Sequence, residues 1–140
     1  MIRHTITLRP RYSETDQMGV VYYSRYVEYF EVARTEWLRA LGMSYAWMEK
    51  QLGVLLPVRS LSIQYKGPAY YDELLTIQTC VKEKPTRTIR FFHEIWNPSE
   101  KCIVTGEVEL VFVDARTWKP IKAPDAFLTL IDHFWNNGQA

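Results

Sequence analysis

The chain has 140 residues, 47% of them hydrophobic and 24% charged, with a formal net charge of +1. That balance suits one folded domain over residues 1–140 with a substantial core, and it excludes disorder and repeat arrays. It also leaves no global field to draw the protein onto nucleic acid or an anionic membrane surface.

Ile2, His4, Ile6 and Leu8 alternate with polar residues, so residues 2–9 read as a half-buried strand closed by Pro10. No signal peptide is expected where Arg3, His4 and Arg9 interrupt the N-terminus. No run of 18 apolar residues occurs either, which predicts a cytoplasmic protein without a membrane span. Residues 11–19 are polar, end on Gly19 and predict a loop leading into a helix. From Val20 to Leu41 the period is helical, with Tyr22, Tyr26, Phe30, Ala33, Trp37 and Leu41 on one stripe and Gly42 as the stop. Val27, Tyr29, Val32, Leu38 and Ala40 widen that stripe, which predicts a helix running through the middle of the fold. A short helix over residues 44–51 follows, with Ser44 as N-cap and Gly53 after it.

Strand character then runs from Val54 to Val113. Val54, Leu56 and Val58 are apolar on even numbers and Leu61, Ile63 and Tyr65 on odd ones, so a bulge near Arg59 and Ser60 is needed to keep one face inward. Leu75, Ile77, Thr79 and Val81 share a face, as do Ile89, Phe91, His93 and Ile95, with Lys84-Pro85-Thr86 turning between them. Residues 102–112 form the last strand, and Pro124 opens a C-terminal helix through Phe134. Consecutive strands on short turns must be largely antiparallel, and one helix covers their apolar face. The class is therefore α+β.

Cys80 and Cys102 show no zinc or redox spacing, and His4, His93 and His133 are scattered singly, so neither a metal nor a cofactor is expected. Chemistry is best sought where the polar loop meets the buried helix. Free N–H groups at a helix start can stabilise an oxyanion, Asp16 lies just upstream as base or nucleophile, and Gly19 lets a substrate approach the backbone. Asp and Gly are also ordinary capping and turn residues there. Glu14 reads as a solvated loop carboxylate, and Glu28, Glu31, Arg34 and Arg39 as ion-paired residues of the helix surface.

The segment from Tyr12-Ser13-Glu14-Thr15-Asp16-Gln17-Met18-Gly19-Val20-Val21-Tyr22-Tyr23 to Tyr26, continued by Glu31-x-Ala33-Arg34, resembles the hotdog-fold acyl-CoA thioesterases of the 4-hydroxybenzoyl-CoA thioesterase and YbgC type. Tyr65-Lys66-Gly67-Pro68-Ala69 through Asp72-x-Leu74 and Val113-Asp114 through Lys119-Pro120 resemble further stretches of that family. The resemblance implies a hotdog fold, a five-stranded antiparallel sheet wrapped around one long central helix. It implies hydrolysis of an acyl-CoA, or of an acyl carrier protein thioester, with Asp16 as the catalytic carboxylate and the Tyr23 N–H polarising the carbonyl. Where many YbgC-type members have His, this chain has Tyr23, and a tyrosine side chain, with an ordinary pKa of ~10, is a poor acid or base at neutral pH. A homodimer or homotetramer with sites between subunits is also implied.

Coenzyme A phosphates call for local cations, and the hairpin 82–90 supplies Lys82, Lys84, Arg87 and Arg90 against Glu83 alone, with Lys66 and Arg59 as further candidates. Tyr22, Tyr26 and the Met43 to Met48 region are expected to line the acyl pocket. Competing readings are a hotdog hydratase, which would want a His beside the helix, and a non-catalytic acyl-binding module in which Asp16 is only a cap.

Overall fold

In the computed structural model, which describes residues 1–137, alternation makes β1 (Ile2–Leu8), and a 3-10 turn (Tyr12–Glu14) leads towards α1 (Arg25–Ala40). A short α2 (Tyr45–Trp47) runs into a π-helical turn (Met48–Leu52), followed by β2 (Val54–Leu55), β3 (Val58–Tyr65), β4 (Leu75–Val81), β5 (Thr88–Trp96), β6 (Cys102–Val111), β7 (Val113–Asp114) and α3 (Asp125–Trp135). Five strands form one antiparallel sheet in the order β1-β4-β5-β6-β3, and β2 pairs with β7 in a second, two-stranded one. This is the α+β hotdog arrangement expected from the sequence, with α1 packed on the inner face of the sheet.

The core lies between α1 and that face. Phe30, Ala33, Trp37 and Leu38 of α1 meet Ile77, Phe91, Val108 and Leu110 of the sheet, all buried. Trp37 sets its ring edge-on to Phe91 at 5.1 Å and donates its indole N–H to the Ile2 carbonyl at 3.1 Å, satisfying a buried polar atom within the apolar layer. Close approach of helix and sheet depends on Gly106 of β6. The Phe30 ring occupies the space a Cβ there would fill.

Two sequence expectations are met at the level of single residues. The ladder between β3 and β6 shifts register between Val58 and Ser60, where the apolar parity changes. Ser44 Oγ accepts the Trp47 N–H at 3.1 Å, and Gly53 closes the turn at φ +63°.

Other expectations need correction. α1 starts at Arg25 rather than Val20, because Val20 and Val21 bridge instead to Tyr70 and Thr15 in extended form. Its buried arc is narrower than predicted, since Val27 and Val32 are 37% and 47% exposed, so one side of the helix faces outward. The strand expected to run from Val54 is interrupted, since Pro57 offers no N–H to the ladder and only its carbonyl is used, by Val111. Pro124 is the N-cap of α3 rather than its first helical residue. Of the four residues expected to pair on α1, Glu28 and Arg39 do so, with Arg25 and Glu36 as their partners, whereas Glu31 and Arg34 form no ion pair among the described residues.

Candidate active site

The loop between β1 and α1 is a small built structure. The Asp16 N–H donates to Val20 C=O and the Gly19 N–H to Asp16 C=O, each at 2.9 Å, and Gly19 adopts φ +83°, a left-handed conformation that disfavours side chains. Asp16 Oδ1 accepts the Met18 N–H at 2.9 Å, which fixes the carboxylate at the mouth of the loop. Val21 then donates to Ala69 C=O at 2.8 Å, tying the loop to the segment after β3.

Glu14 is buried, against the solvated role expected of it, and it anchors the loop. Its Oε1 accepts the Arg11 N–H at 2.7 Å and the Tyr29 hydroxyl at 3.1 Å, while its carbonyl accepts the Tyr22 N–H at 2.8 Å. The cause is a contact fifteen residues away: Tyr29 points in from the second turn of α1 and supplies the donor a buried carboxylate requires. Burial, and after it the Glu14 charge, push the Tyr29 hydroxyl well above its ordinary range, so it serves as a fixed donor.

Tyr22, Tyr23 and Ser24 carry the chain into α1. The Tyr22 carbonyl accepts the Arg25 N–H at 2.9 Å, whereas among the described residues the N–H groups of Tyr23 and Ser24 donate to no backbone acceptor. Two peptide donors are thus left free at the positive end of a 16-residue helix, on the same loop as the Asp16 carboxylate. The Tyr22 and Tyr23 rings lie 4.7 Å apart and are largely exposed. Hydrogen bonding to Tyr23, and then its electrostatic nearness, raise the Tyr22 hydroxyl, with smaller contributions from burial and Asp16, so Tyr22 stays protonated and can donate a hydrogen bond. Tyr26 is buried, and its hydroxyl is raised first by burial, opposed by a hydrogen bond from Ala69.

Tyr65, to which sequence reasoning gave no role, completes the group. It closes β3 on the inner face of the sheet, stands 5.7 Å from the Tyr26 ring and donates its hydroxyl to the Tyr23 carbonyl at 3.0 Å. The odd-numbered series Leu61, Ile63, Tyr65 already places it on the inward face, but nothing in that periodicity marks the contact its hydroxyl makes.

The expected cations are dispersed. Lys66 follows Tyr65 and lies at the same end of the sheet as Asp16. Lys84 and Arg87 sit beyond the opposite end of β4, whose seven residues span about 23 Å. Lys84 Nζ is 2.9 Å from Asp132 of α3. Arg90 is paired with Glu107 at 3.1 Å and Glu109 at 2.6 Å on the outer face, where Arg59 also meets Glu109 at 3.4 Å. Lys82 lies 4.2 Å over the Phe92 ring on that face. The Met43 to Met48 region is also apart from Asp16 in the one chain. It follows the C-terminal end of α1, about 24 Å of helix away, and borders a groove of about 510 Å³ with Arg39 and Trp47.

No group of three His, Cys, Asp or Glu side chains is placed to hold a metal ion among the described residues. The three histidines lie in β1, in the core and on α3, none of them on the Asp16 loop. The Val113-Asp114 stretch is a turn device: N–H groups of Arg116 and Thr117 bond Asp114 and hold its carboxyl below the usual range. No helix among the described residues is long and apolar enough to cross a membrane.

Residues 10–131 match the thioesterase-like superfamily. YneP of Bacillus subtilis is 38% identical over 118 residues, covering 84% of both chains. The acyl-CoA thioester hydrolase YbgC of Escherichia coli is 34% identical over 122 residues, covering 86% of this chain and 90% of its own. Among solved structures, a DHNA-CoA thioesterase of Staphylococcus aureus is 35% identical with a TM-score of 0.88, over 100% of this chain and 97% of that one. A 4-hydroxybenzoyl-CoA thioesterase, 21% identical with a TM-score of 0.82 over 91% and 97% of the two chains, shares the fold. The chain belongs to the thioesterase-like superfamily.

Proposed function

We propose that this member of the thioesterase-like superfamily is an acyl-CoA thioesterase in which Asp16 is the catalytic carboxylate and the Tyr23 N–H polarises the thioester carbonyl. The observation that carries this reading is the joint placement of one loop carboxylate and unbonded N–H groups at the start of α1. The carbonyl oxygen of the substrate accepts from the Tyr23 N–H, where the aligned peptide dipoles favour the negative charge that develops on it. Asp16 then either attacks the carbonyl carbon, expelling the coenzyme A thiolate and leaving a mixed anhydride for water to open, or takes a proton from the attacking water. The products in both cases are a free acid and coenzyme A. The thiolate is a good leaving group, and the chain's own carboxylate and amides supply the chemistry.

Gly19 keeps the loop backbone bare beside the carbonyl, and Tyr22, Tyr23 and Tyr26 offer an aromatic wall to the acyl group. Lys66, at the same end of the sheet, is the cation suited to a phosphate of coenzyme A. Lys84, Arg87 and Arg90 reach a substrate at Asp16 only from a neighbouring subunit. A homo-oligomer, dimer or tetramer, is proposed on the half-exposed apolar residues Val58, Leu61 and Tyr65 of the edge strand β3, whose outer N–H and C=O groups have no partner strand among the described residues. The cytoplasm, where coenzyme A thioesters are made and used, is the proposed location.

The test is thiol release from acetyl-, hexanoyl-, palmitoyl- and benzoyl-CoA by the wild type and Asp16→Asn. A fall of about 100-fold or more in kcat, with the fold retained, supports the assignment. Full activity in Asp16→Asn removes the carboxylate role. Binding without any turnover by the wild type would favour an acyl-binding module instead.

A further inference from the structure

We propose that Tyr65 is a positioning residue for this reaction, holding Tyr23 so that its N–H is aimed before substrate arrives. The proposal rests on the reading of the Tyr23 N–H as the donor to the thioester carbonyl. Tyr23 lies between two peptide planes, and the direction of its N–H is set by how firmly both are held. The plane before it, which carries the Tyr23 N–H, is held through the Tyr22 carbonyl, which accepts the Arg25 N–H at 2.9 Å, and the plane before that one through the Tyr22 N–H, which donates to Glu14 C=O at 2.8 Å. The plane after it is held through the Tyr23 carbonyl, and the group that holds it is the Tyr65 hydroxyl, 42 residues away in sequence, at 3.0 Å. Backbone makes the first set of bonds; a side chain makes the last.

This last bond acts in two ways. It pins ψ of Tyr23 in a stretch that is not yet helical, since α1 begins only at Arg25 and Tyr23, 60% exposed as a residue, gives little packing restraint. It also withdraws charge from the Tyr23 carbonyl and so strengthens the Ser24 N–H of the same peptide, adjoining the Tyr23 donor. An oxyanion site works because its donors need not reorganise as charge develops, so a restraint of this kind belongs to kcat more than to substrate affinity.

Tyr65 is held for the task. Its ring lies against Tyr26, which is buried, and its hydroxyl is raised by burial first and by its nearness to the Tyr23 phenol second, so it remains a donor at neutral pH. Tyr65→Phe keeps the ring contact and deletes only a half-exposed hydroxyl, so the variant is expected to fold and assemble as the wild type does.

The experiment compares wild type and Tyr65→Phe on whichever of the acetyl-, hexanoyl-, palmitoyl- and benzoyl-CoA thioesters turns over fastest. Infrared difference spectra of that thioester bound to Asp16→Asn and to Asp16→Asn/Tyr65→Phe report on the carbonyl itself. The expected result is a fall in kcat of about tenfold with KM within about twofold, and a bound C=O stretch that moves back towards its frequency in water. An unchanged kcat, a change in KM alone, or an unshifted C=O stretch overturns the proposal and leaves Tyr65 as packing. If the bound carbonyl shows no polarisation even with Tyr65 present, the reading of the Tyr23 N–H fails first, and the role of Tyr65 with it.

Discussion

His93 gives a pH signature that can be worked out from its surroundings. It is 1% exposed on the inner face of β5, stacked on Phe30 at 4.5 Å, with Nδ1 bonded to the Thr79 hydroxyl at 3.0 Å and Nε2 without a partner among the described residues. Burial first, and the Arg34 charge second, lower its pKa to about 3. The unfolded chain binds a proton near pH 6.5 and the folded chain does not, so the stability contributed by neutral His93 is complete above about pH 6.5 and is lost as pH falls towards about 3. At pH 5 the loss is about 2 kcal/mol from this group alone. The perturbation is His93→Phe with Thr79→Val, which removes both hydrogen-bond partners together and leaves no orphaned group. Denaturant unfolding at pH 7.5 and pH 5.0, at one protein concentration, should show the wild type losing about 2 kcal/mol more than the variant between the two pH values. Equal losses in the two proteins would refute the claim that His93 is neutral in the folded chain.

Gly106→Ala places a methyl group where the Phe30 ring sits, and overpacking of this kind costs about 1–3 kcal/mol, read as a lower Tm in thermal melts. An unchanged Tm would mean that α1 can withdraw from the sheet freely. Arg90→Ala is expected to leave KM for the acyl-CoA within about twofold, because Glu107 and Glu109 already hold the guanidinium, whereas Lys66→Ala should raise KM by about five- to tenfold. Steady-state kinetics on the two variants, with salt titrated, decide which cation meets the phosphates.

What could be read from the sequence was local. Period-two alternation found the strands, the change of apolar parity between Val58 and Leu61 found the bulge, and Ser44 and Gly53 marked the ends of the short helical segment, since each depends on neighbours within a few residues. The start of α1 was misplaced for the opposite reason. Val20 and Val21 fit a helical stripe by spacing, but they are held in extended form by Tyr70 and Thr15, and a distant partner overrides local periodicity. The same holds for Val27 and Val32, whose apolar character says nothing about which side of the helix the sheet covers.

Within the candidate site, Asp16 and Gly19 were visible because the loop that carries them is contiguous, and their spacing matched a family pattern. Glu14 was read wrongly because its burial depends on Tyr29 entering from the second turn of α1, and a loop carboxylate with a buried donor looks in sequence like any solvated one. Tyr65 was overlooked for a related reason, since its hydroxyl acts on a backbone carbonyl and such a contact leaves no mark on the residue it serves. The supporting contacts of a backbone donor are therefore the part of such a site that a sequence conceals most. A carboxylate must be a particular residue type, but any residue can supply the N–H, and only the fold shows what keeps it in place.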